Sequence, residues 1–318
     1  MTGATGFVGK ALNQRLVSDA RHEVRVAVRR QLASMGDAVE IFEVGDYSRS
    51  TDWFRALSGV HVVAALAARV HVVGDTSLDR LGEYRRVNVD GTLSLALQAA
   101  QHGVRRFVFL SSIKVNGEGG SLAGSDAMPH PQPYKETDPP APEDAYGISK
   151  YETELGLREI SAETGMEVVI IRPPLVYGPG VRANFQTLMR VVARGIPLPL
   201  GAIHNRRSLV ALDNLVDFIV TCIERPAAAN ETFLVSDGDD LSTTELIRRL
   251  ADTMGRPARL IRLPASMLVA GATLVGKRDI AQRLLGSLQA DISKARGLLG
   301  WTPPLSVDEG LRRTVASQ

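Results

Sequence analysis

The chain has 318 residues, of which 44% are hydrophobic and 23% are charged, and its formal net charge is +2. This length suits one large domain or two smaller domains with a sizeable core. The near-balanced charge excludes a basic tail for nucleic acid, and the single cysteine, Cys222, excludes an internal disulfide. The histidines show no metal-ligand spacing, and no apolar run approaches the length of a membrane span. We therefore expect a cytoplasmic globular protein without a metal site, a nucleic-acid partner or a membrane span.

A glycine-rich turn opens the chain. Gly3, Gly6 and Gly9 recur at intervals of three, and Phe7 and Val8 stand between the last two. Glycines at this spacing allow positive φ angles, close approach of the backbone to a pyrophosphate and tight packing of the following helix. The amino terminus of that helix supplies amide donors for an anion. The turn therefore predicts a dinucleotide site, and an ordinary glycine turn is the alternative.

The strand expected before this turn is almost missing. Only Met1 and Thr2 precede Gly3, whereas a turn of this kind follows a buried strand in the middle of a parallel sheet. Without that strand, backbone groups of two neighbouring strands would lack partners. We therefore expect the natural protein to begin several residues upstream of Met1.

Strand-like and helical segments alternate along the rest of the chain. The predicted helices are 10–18, 51–57, 79–101, 146–163, 213–224, 242–254, 267–276 and 307–313, and the predicted strands are 23–28, 39–44, 61–66, 106–110, 167–172 and 231–235. Segment 116–144 is rich in glycine, proline and aspartate and is predicted to be a long loop. The alternation predicts an α/β fold with a Rossmann-type, doubly wound parallel sheet.

Two arginines, Arg29 and Arg30, stand at the end of the first complete strand. A carboxylate at this place would bind the 2′-hydroxyl of NAD, whereas an arginine fork can bind a 2′-phosphate. The pair therefore favours NADP(H) over NAD(H), and NAD stays open because the arginines could simply be solvated at a strand end.

Three further residues predict proton transfer. Tyr146 and Lys150 lie four residues apart, so a helix places them on one face. An ammonium group there would lower the phenol pKa from about 10 toward neutral pH, so that Tyr146 could act as a general acid or base. Ser112 follows a buried strand and could bond the same substrate oxygen, although a strand-end cap is its alternative. With the glycine turn, this set predicts redox chemistry on a nicotinamide dinucleotide.

With these motifs in view, the chain resembles the extended short-chain dehydrogenase/reductases that act on nucleotide sugars, the NAD-dependent epimerase/dehydratase family. The likeness covers essentially the whole chain. Its motifs are the glycine turn, Leu66-Ala67-Ala68, Asn88-Val89-Asp90-Gly91-Thr92, Ser111-Ser112, Tyr146 to Lys150, Arg172 and Tyr177-Gly178-Pro179-Gly180. The resemblance implies that Ser112, Tyr146 and Lys150 form a catalytic triad.

The resemblance also implies residues for two ligands. For the cofactor it implies Gly3, Gly6, Phe7, Val8, Gly9, Arg29, Arg30, Asp46, Tyr47, Leu66, Ala67, Ala68, Asn88, Ser111, Tyr146, Lys150 and Pro173. For a UDP-sugar substrate it implies Ser112, Lys114, Tyr146, Asn184 and Arg207. Within these sets Asp46 would meet the adenine, with a simple turn residue as the alternative, and Asn184 and Arg207 would contact the diphosphate.

A domain division and an oligomer follow from the same resemblance. It implies a dinucleotide-binding domain of residues 1–173 plus about 208–236, and a smaller α/β substrate-binding domain of about 174–207 plus 237–318, with the substrate at the carboxyl ends of the strands. It also implies a homodimer that pairs helices 79–101 and 146–163 of two copies.

Departures from the family pattern narrow the reaction. Ile113 and Lys114 follow Ser112 where family dehydratases carry an Asp-Glu pair, which argues against 4,6-dehydration. Residues 111–118 look most like bacterial reductases that form UDP-N-acetylquinovosamine for surface polysaccharides. The leading hypothesis is therefore NADPH-dependent reduction of the C4 ketone of a UDP-4-keto-6-deoxy-N-acetylhexosamine. A 4-epimerase of UDP-glucose or UDP-N-acetylglucosamine that holds NAD tightly is the near alternative. A catalytically silent NADP-binding sensor on the same fold is the alternative of another class.

Overall fold

The structure is a computed structural model that describes residues 1–30, 34–36, 38–70, 79–122, 132–274, 276, 281 and 284–317. Its centre is a parallel sheet with helices packed against it, so the predicted α/β class is confirmed. Within this described part of the chain, no helix has the length and apolar character needed to cross a membrane.

The elements follow one another in regular alternation through the first part of the chain. The strands are β1 (Val24–Val28), β2 (Val39–Glu43), β3 (Val62–Ala65), β4 (Arg106–Leu110), β5 (Gly120–Leu122), β6 (Glu167–Arg172), β7 (Leu175–Tyr177), β8 (Leu209–Ala211), β9 (Thr232–Leu234) and β10 (Gly286–Ser287). The α-helices are α1 (Phe7–Asp19), α2 (Phe54–Leu57), α3 (Arg80–Tyr84), α4 (Gly91–Gln101), α5 (Ala145–Thr164), α6 (Ala183–Ala193), α7 (Leu212–Glu224), α8 (Thr243–Thr253), α9 (Ala265–Leu274), α10 (Ser293–Leu299) and α11 (Val307–Ala316).

The main sheet consists of two parallel pieces. One piece has the order β3-β4-β6-β9, and the other pairs β1 with β2. Strands β4 and β6 are almost wholly buried, as expected for branched and aromatic residues covered by helices on both faces. Because β4 and β6 pair in parallel, their carboxyl ends meet at one edge of the sheet, where Ser111 N donates to Ile171 O at 2.7 Å.

Met1 and Thr2 lie between the two pieces of the sheet. Thr2 forms parallel bridges to Ala27 and Ala65, and Ala27 N donates to Met1 O at 2.9 Å. A cavity of about 1260 Å³ lies beside them and is also lined by residues of β1 and β3. Burial lowers the pKa of the Met1 amine to about 5, and the charge of Arg25 acts in the same direction. Two residues thus stand at the place of the expected central strand.

The predicted helix 79–101 is divided in the structure. Helix α3 passes into a π-helical turn, Arg85–Asp90, which passes into α4. A π turn is wider than an α turn and is frequent at functional sites. Asn88 lies in this turn and is buried.

The predicted loop 116–144 contains a short strand. Strand β5 pairs antiparallel with β10, which is far along the chain, so the loop prediction was wrong for residues 120–122. A pairing of only two residue pairs leaves no period in the sequence. The part of the predicted loop at 123–131 lies outside the described residues.

Three large apolar clusters make up most of the core. The cluster between the sheet, α1 and α7 includes Val26, Val108, Val169, Phe218, Phe233, Leu299 and Trp301. A second joins β3, β4 and β6 to α4 and α5 and includes Trp53, Leu95, Phe107 and Leu157. The third includes Tyr177, Phe185, Met189, Leu250 and Leu311. Leu299 and Trp301 pack with the sheet, although the predicted boundaries place them in the second unit. The division stays a prediction.

Candidate active site

The glycine turn is closed by its own backbone. Gly6 N donates to Gly3 O at 2.9 Å, and Gly3 has a φ of +69°. A Cβ at Gly3 would lie 2.8 Å from Ala67 N, and one at Gly9 would overlap Gly3 O. Only glycine therefore lets α1 pack on this turn and lets another group approach its backbone.

A cavity of about 420 Å³ opens beside the turn. It is lined by eight of the residues predicted for the cofactor, which are Gly3, Gly6, Arg29, Asp46, Tyr47, Leu66, Ala67 and Ala68. It is also lined by four residues that the sequence did not reveal, Arg69, Val70, Arg86 and Val87. Arg30 is exposed at the same strand end and is outside this lining. A bare glycine backbone, an apolar wall and nearby guanidinium groups fit a dinucleotide.

Hydrogen bonds hold the walls of this cavity. The Thr2 hydroxyl accepts from Leu66 N and Ala67 N, each at 3.2 Å. The Tyr47 hydroxyl donates to Ala27 O at 3.0 Å, and burial raises its pKa to about 12. Tyr47 is therefore a neutral donor that fixes the segment carrying Asp46.

Ser112 begins a tight turn at the end of β4. Its side chain caps a 3₁₀ turn, Ile113–Val115, and accepts from Lys114 N at 3.3 Å. Ile113 N donates to Pro173 O at 3.0 Å, which joins this turn to the end of β6. The structure therefore brings together four of the predicted site residues, which are Ser111, Ser112, Lys114 and Pro173.

Helix α5 begins against this turn. Asp144 caps the helix by accepting from Gly147 N at 2.7 Å, and Lys114 Nζ donates to Asp144 and to Glu118 at 2.5 Å each. A Cβ at Gly147 would lie 3.0 Å from Lys114 O. Burial opposes ionisation of Asp144, but the Lys114 and Gly147 hydrogen bonds hold its pKa below the usual value. The start of α5 and the Ser112 turn are thus in direct contact.

Tyr146 and Lys150 share one face of α5, as predicted. Lys150 Nζ lies 5.8 Å from the centroid of the Tyr146 ring and 4.5 Å from that of Phe109. The same amine donates to Leu110 O at 2.8 Å. The Tyr146 ring makes an edge contact with Tyr84, with 6.2 Å between centroids.

The predicted effect of Lys150 on the Tyr146 pKa was wrong for this structure. Burial raises the pKa of Tyr146 above its ordinary value, and the charges of Asp144 and Tyr84 act in the same direction. Burial also lowers the pKa of Lys150 to about 7, against an opposing effect of Glu154. The sequence showed the spacing of the pair but not how little water reaches it, and desolvation disfavours both charged forms.

Asn88 connects the π turn to α5. Its Nδ2 donates to Ser149 Oγ at 3.0 Å, and its Oδ1 accepts from Arg69 N at 2.7 Å. The Ser149 hydroxyl in turn donates to Tyr146 O at 2.8 Å. Asn88 therefore supports the segment between Tyr146 and Lys150, and it links this segment to Arg69 in the cavity lining.

A buried acid on α5 was missed by the sequence analysis. Glu154 accepts from Ser111 Oγ at 2.6 Å and from Arg172 Nε at 2.9 Å and Nη2 at 2.6 Å. Arg172 Nη1 also donates to Asn116 Oδ1 at 3.0 Å. The position of Glu154, four residues after Lys150, was the available signal, because i and i+4 share a helix face.

The two residues predicted to contact a diphosphate differ in their surroundings. Arg207 is half-buried, and its Nη1 donates to Gly286 O at 2.9 Å. Burial lowers the Arg207 pKa, with Glu118 opposing this, and Glu118 also bonds Lys114. Asn184 is exposed in the first turn of α6, and no hydrogen bond joins it to the triad within the part of the chain that the structure describes. No group of three or more potential metal ligands occurs among those residues either.

Comparisons with known proteins agree with this fold. Residues 1–236 match the model of the NAD dependent epimerase/dehydratase family, so the chain belongs to that family. It is 49% identical over 315 residues to a UDP-glucose 4-epimerase of Vibrio cholerae, with 99% of this chain and 93% of the relative covered. The family membership and fold inferred from the sequence are confirmed, and the chain is an NAD(P)-dependent enzyme of this family.

Solved structures are similar over nearly the whole chain. MoeE5, in complex with UDP-glucuronic acid and NAD, has a TM-score of 0.76 at 26% identity and covers 99% of this chain and 97% of its own. A UDP-glucose 4-epimerase of Thermotoga maritima, with UDP-glucose, has a TM-score of 0.74 at 25% identity, with coverage of 99% and 96%.

Proposed function

We propose that the protein is a UDP-hexose 4-epimerase that keeps NAD bound through the reaction cycle, with UDP-glucose as its first candidate substrate. The observation that carries the proposal is the 49% identity to the Vibrio cholerae UDP-glucose 4-epimerase over 99% of this chain. Ser112, Tyr146 and Lys150 supply the acid–base groups that such a reaction requires. This comparison favours the epimerase alternative over the 4-ketoreductase that was the leading hypothesis from sequence.

The proposed site divides the work between two elements. When bound, the nicotinamide ring supplies a reversible hydride acceptor for C4 of the sugar. Tyr146 removes the proton from the C4 hydroxyl and later returns it, and Ser112 donates a hydrogen bond to the same oxygen. Lys150 Nζ lies 5.8 Å from the centroid of the Tyr146 ring and holds this face of α5 to β4 through Leu110 O. The sugar must present its other face between the two hydride transfers, so no net oxidation or reduction occurs.

The cofactor proposal rests on the cavity beside the glycine turn. Gly3 and Gly6 expose backbone to a pyrophosphate, and Asp46 and the apolar segment 66–68 form a wall for the adenosine. NAD is proposed over NADP because MoeE5, 26% identical to this chain, is described in complex with NAD. Arg29 lines the cavity and is the residue that would bind the 2′-phosphate if the protein preferred NADP.

Other functional expectations continue as proposals. Arg207 is proposed to contact the diphosphate together with Lys114, because Glu118 links the two electrostatically. Asn184 is proposed as an outer contact from α6. The homodimer through the helices at 79–101 and 146–163, and a cytoplasmic location, likewise stay predictions.

The direct test is interconversion without added cofactor. The purified protein should convert UDP-glucose to UDP-galactose, followed by proton NMR, without NADPH consumption and with one nucleotide recovered per active site. UDP-N-acetylglucosamine is assayed in parallel to define the sugar. Oxidation of NADPH by a UDP-4-keto-6-deoxy-N-acetylhexosamine, with no interconversion of either UDP-sugar, would overturn the proposal and restore the reductase.

Two tyrosines on α5 provide a matched pair of variants. Tyr146→Phe removes the hydroxyl at the proposed acid–base position and should lower kcat by about 10²- to 10⁴-fold. Tyr151→Phe makes the same chemical change one residue beyond Lys150 and should leave kcat near that of the parent protein. Equal effects of the two changes would remove Tyr146 from the proposed chemistry.

A further inference from the structure

The buried ion pair between Glu154 and Arg172 holds both ends of the Ser112 turn. On the amino-terminal side, Ser111 Oγ donates to Glu154 Oε1 at 2.6 Å. On the carboxyl-terminal side, Arg172 Nη1 donates to Asn116 Oδ1 at 3.0 Å. Residues 112–115 are therefore bracketed by two contacts of a single pair.

This pair is inaccessible to water. The Glu154 side chain is 0% exposed and that of Arg172 is 2% exposed, and Arg172 binds the carboxylate through both Nε and Nη2. The outer oxygen, Oε2, also accepts from Arg158 at 3.2 Å. A carboxylate with every oxygen occupied is fixed in position, and burial without these donors would be costly.

Glu154 also acts on the proposed catalytic amine. It lies one helical turn after Lys150 on α5, and its charge opposes the loss of the Lys150 ammonium caused by burial. The other groups close to the amine are the neutral rings of Phe109 and Tyr146 and the Leu110 carbonyl. Glu154 thus offsets part of the effect of burial, which lowers the Lys150 pKa to about 7.

We infer that Glu154 is a positioning residue of the active site, which sets the Ser112 turn through Ser111 and Arg172. The inference rests on the proposed function, because it assigns Glu154 a role through residues to which that function gives the chemistry. It goes beyond that function because it assigns to the Glu154 carboxylate the positions of the end of β4, the Ser112 turn and α5 relative to one another.

The test compares Glu154→Gln, Glu154→Asp and the control Glu152→Gln in the full chain. Glu152 is on the same helix and pairs with Arg85 at the surface. Glu154→Gln weakens the pair with Arg172, so the Ser112 turn should be displaced and kcat should fall about 10- to 100-fold. It also removes the charge that opposes burial, so the Lys150 pKa, followed by NMR, should fall by about one unit or more. Glu154→Asp keeps the charge and should leave the Lys150 pKa near that of the parent, while kcat falls through displacement of the turn. Glu152→Gln should change neither quantity.

Two additions keep the test decisive. If Glu154→Gln fails to fold, Ser111→Ala removes one contact without leaving an unpaired charge, and it should lower kcat without changing the Lys150 titration. Carbon-13 NMR of the six lysines reports the Lys150 titration without turnover, so this measurement stands even if the protein is not an epimerase. A folded Glu154→Gln protein whose Lys150 titration and kcat match the parent would overturn the inference. A loss of activity that is explained entirely by a smaller fraction of folded protein would also overturn the inference.

Discussion

Lys150 Nζ donates to Leu110 O at 2.8 Å, so the buried amine on α5 is hydrogen-bonded to the last residue of β4. Lys150 is 1% exposed, and burial lowers the pKa of its amine to about 7. An amine that is easily deprotonated in the folded chain but not in the unfolded chain makes stability depend on pH.

Replacing Lys150 with Met should therefore change the shape of the stability curve. Between about pH 7 and the ordinary lysine pKa near 10.4, the unfolded chain binds a proton that the folded chain has released, so stability of the parent rises with pH. Below this window both states are charged, and the cost of burying the ammonium is fully present. The stability advantage of Lys150→Met over the parent should thus shrink from about pH 7 to about pH 9, because the parent gains stability over this range. Chemical denaturation at each pH measures it. The contribution of the Met1 amine is the same in both proteins and cancels in the difference. A difference in stability that does not vary with pH would contradict the lowered Lys150 pKa.

The sequence predicted the parts of this site that depend on local pattern. Strands 106–110 and 167–172 and the start of α5 were placed to within a residue, because buried strands and helices have distinct periods. The glycine turn was found because its conformation restricts it to glycine. The sequence did not reveal Glu154 as the partner of Ser111 and Arg172, nor the raised pKa of Tyr146. Both depend on contacts between residues far apart in the chain and on the exclusion of water, which carry no period.

The glycine turn gives a test of cofactor retention. Gly9→Ala would place a methyl group against Gly3 O and 2.9 Å from the Cα of Ala4, so α1 must move away from the turn. The variant should be purified with little or no bound nucleotide, measured by absorbance after acid release, and should be less stable. Gly297→Ala is the control, because a Cβ there meets nothing within 4 Å in α10, and alanine should stabilise that helix by about 0.5–1 kcal/mol. Retention of a full complement of nucleotide by Gly9→Ala would show that the turn does not hold it.

The guanidinium of Arg106 should matter for stability and not for chemistry. Arg106 is 1% exposed, and its Nη1 donates to the carbonyls of Cys222, Ile223 and Arg225 at the end of α7. Its Nε bonds Glu167 on the adjacent strand at 2.7 Å. Arg106→Met leaves these buried acceptors without a donor and should lower the free energy of unfolding by about 3–5 kcal/mol. Its neighbour Arg105 is exposed, so Arg105→Met should change stability by less than about 0.5 kcal/mol. Nucleotide content per folded molecule should be the same in both variants.

Asp144 should influence both the start of α5 and the acidity of Tyr146. Asp144→Asn keeps an acceptor for the helix amide but removes the charge that, after burial, is the next cause of the raised Tyr146 pKa. Because the phenolate is the proposed base, a lower Tyr146 pKa should raise its ionised fraction, and kcat at about pH 8 should be higher in Asp144→Asn than in the parent. Asp144→Ala also loses the cap and should cost about 1 kcal/mol of stability. Glu143→Gln neutralises the adjacent acid as a control and should leave kcat unchanged. An equal rise in Glu143→Gln would show a general effect of surface charge, whereas a rise confined to Asp144→Asn would place the controlling charge at the cap of α5.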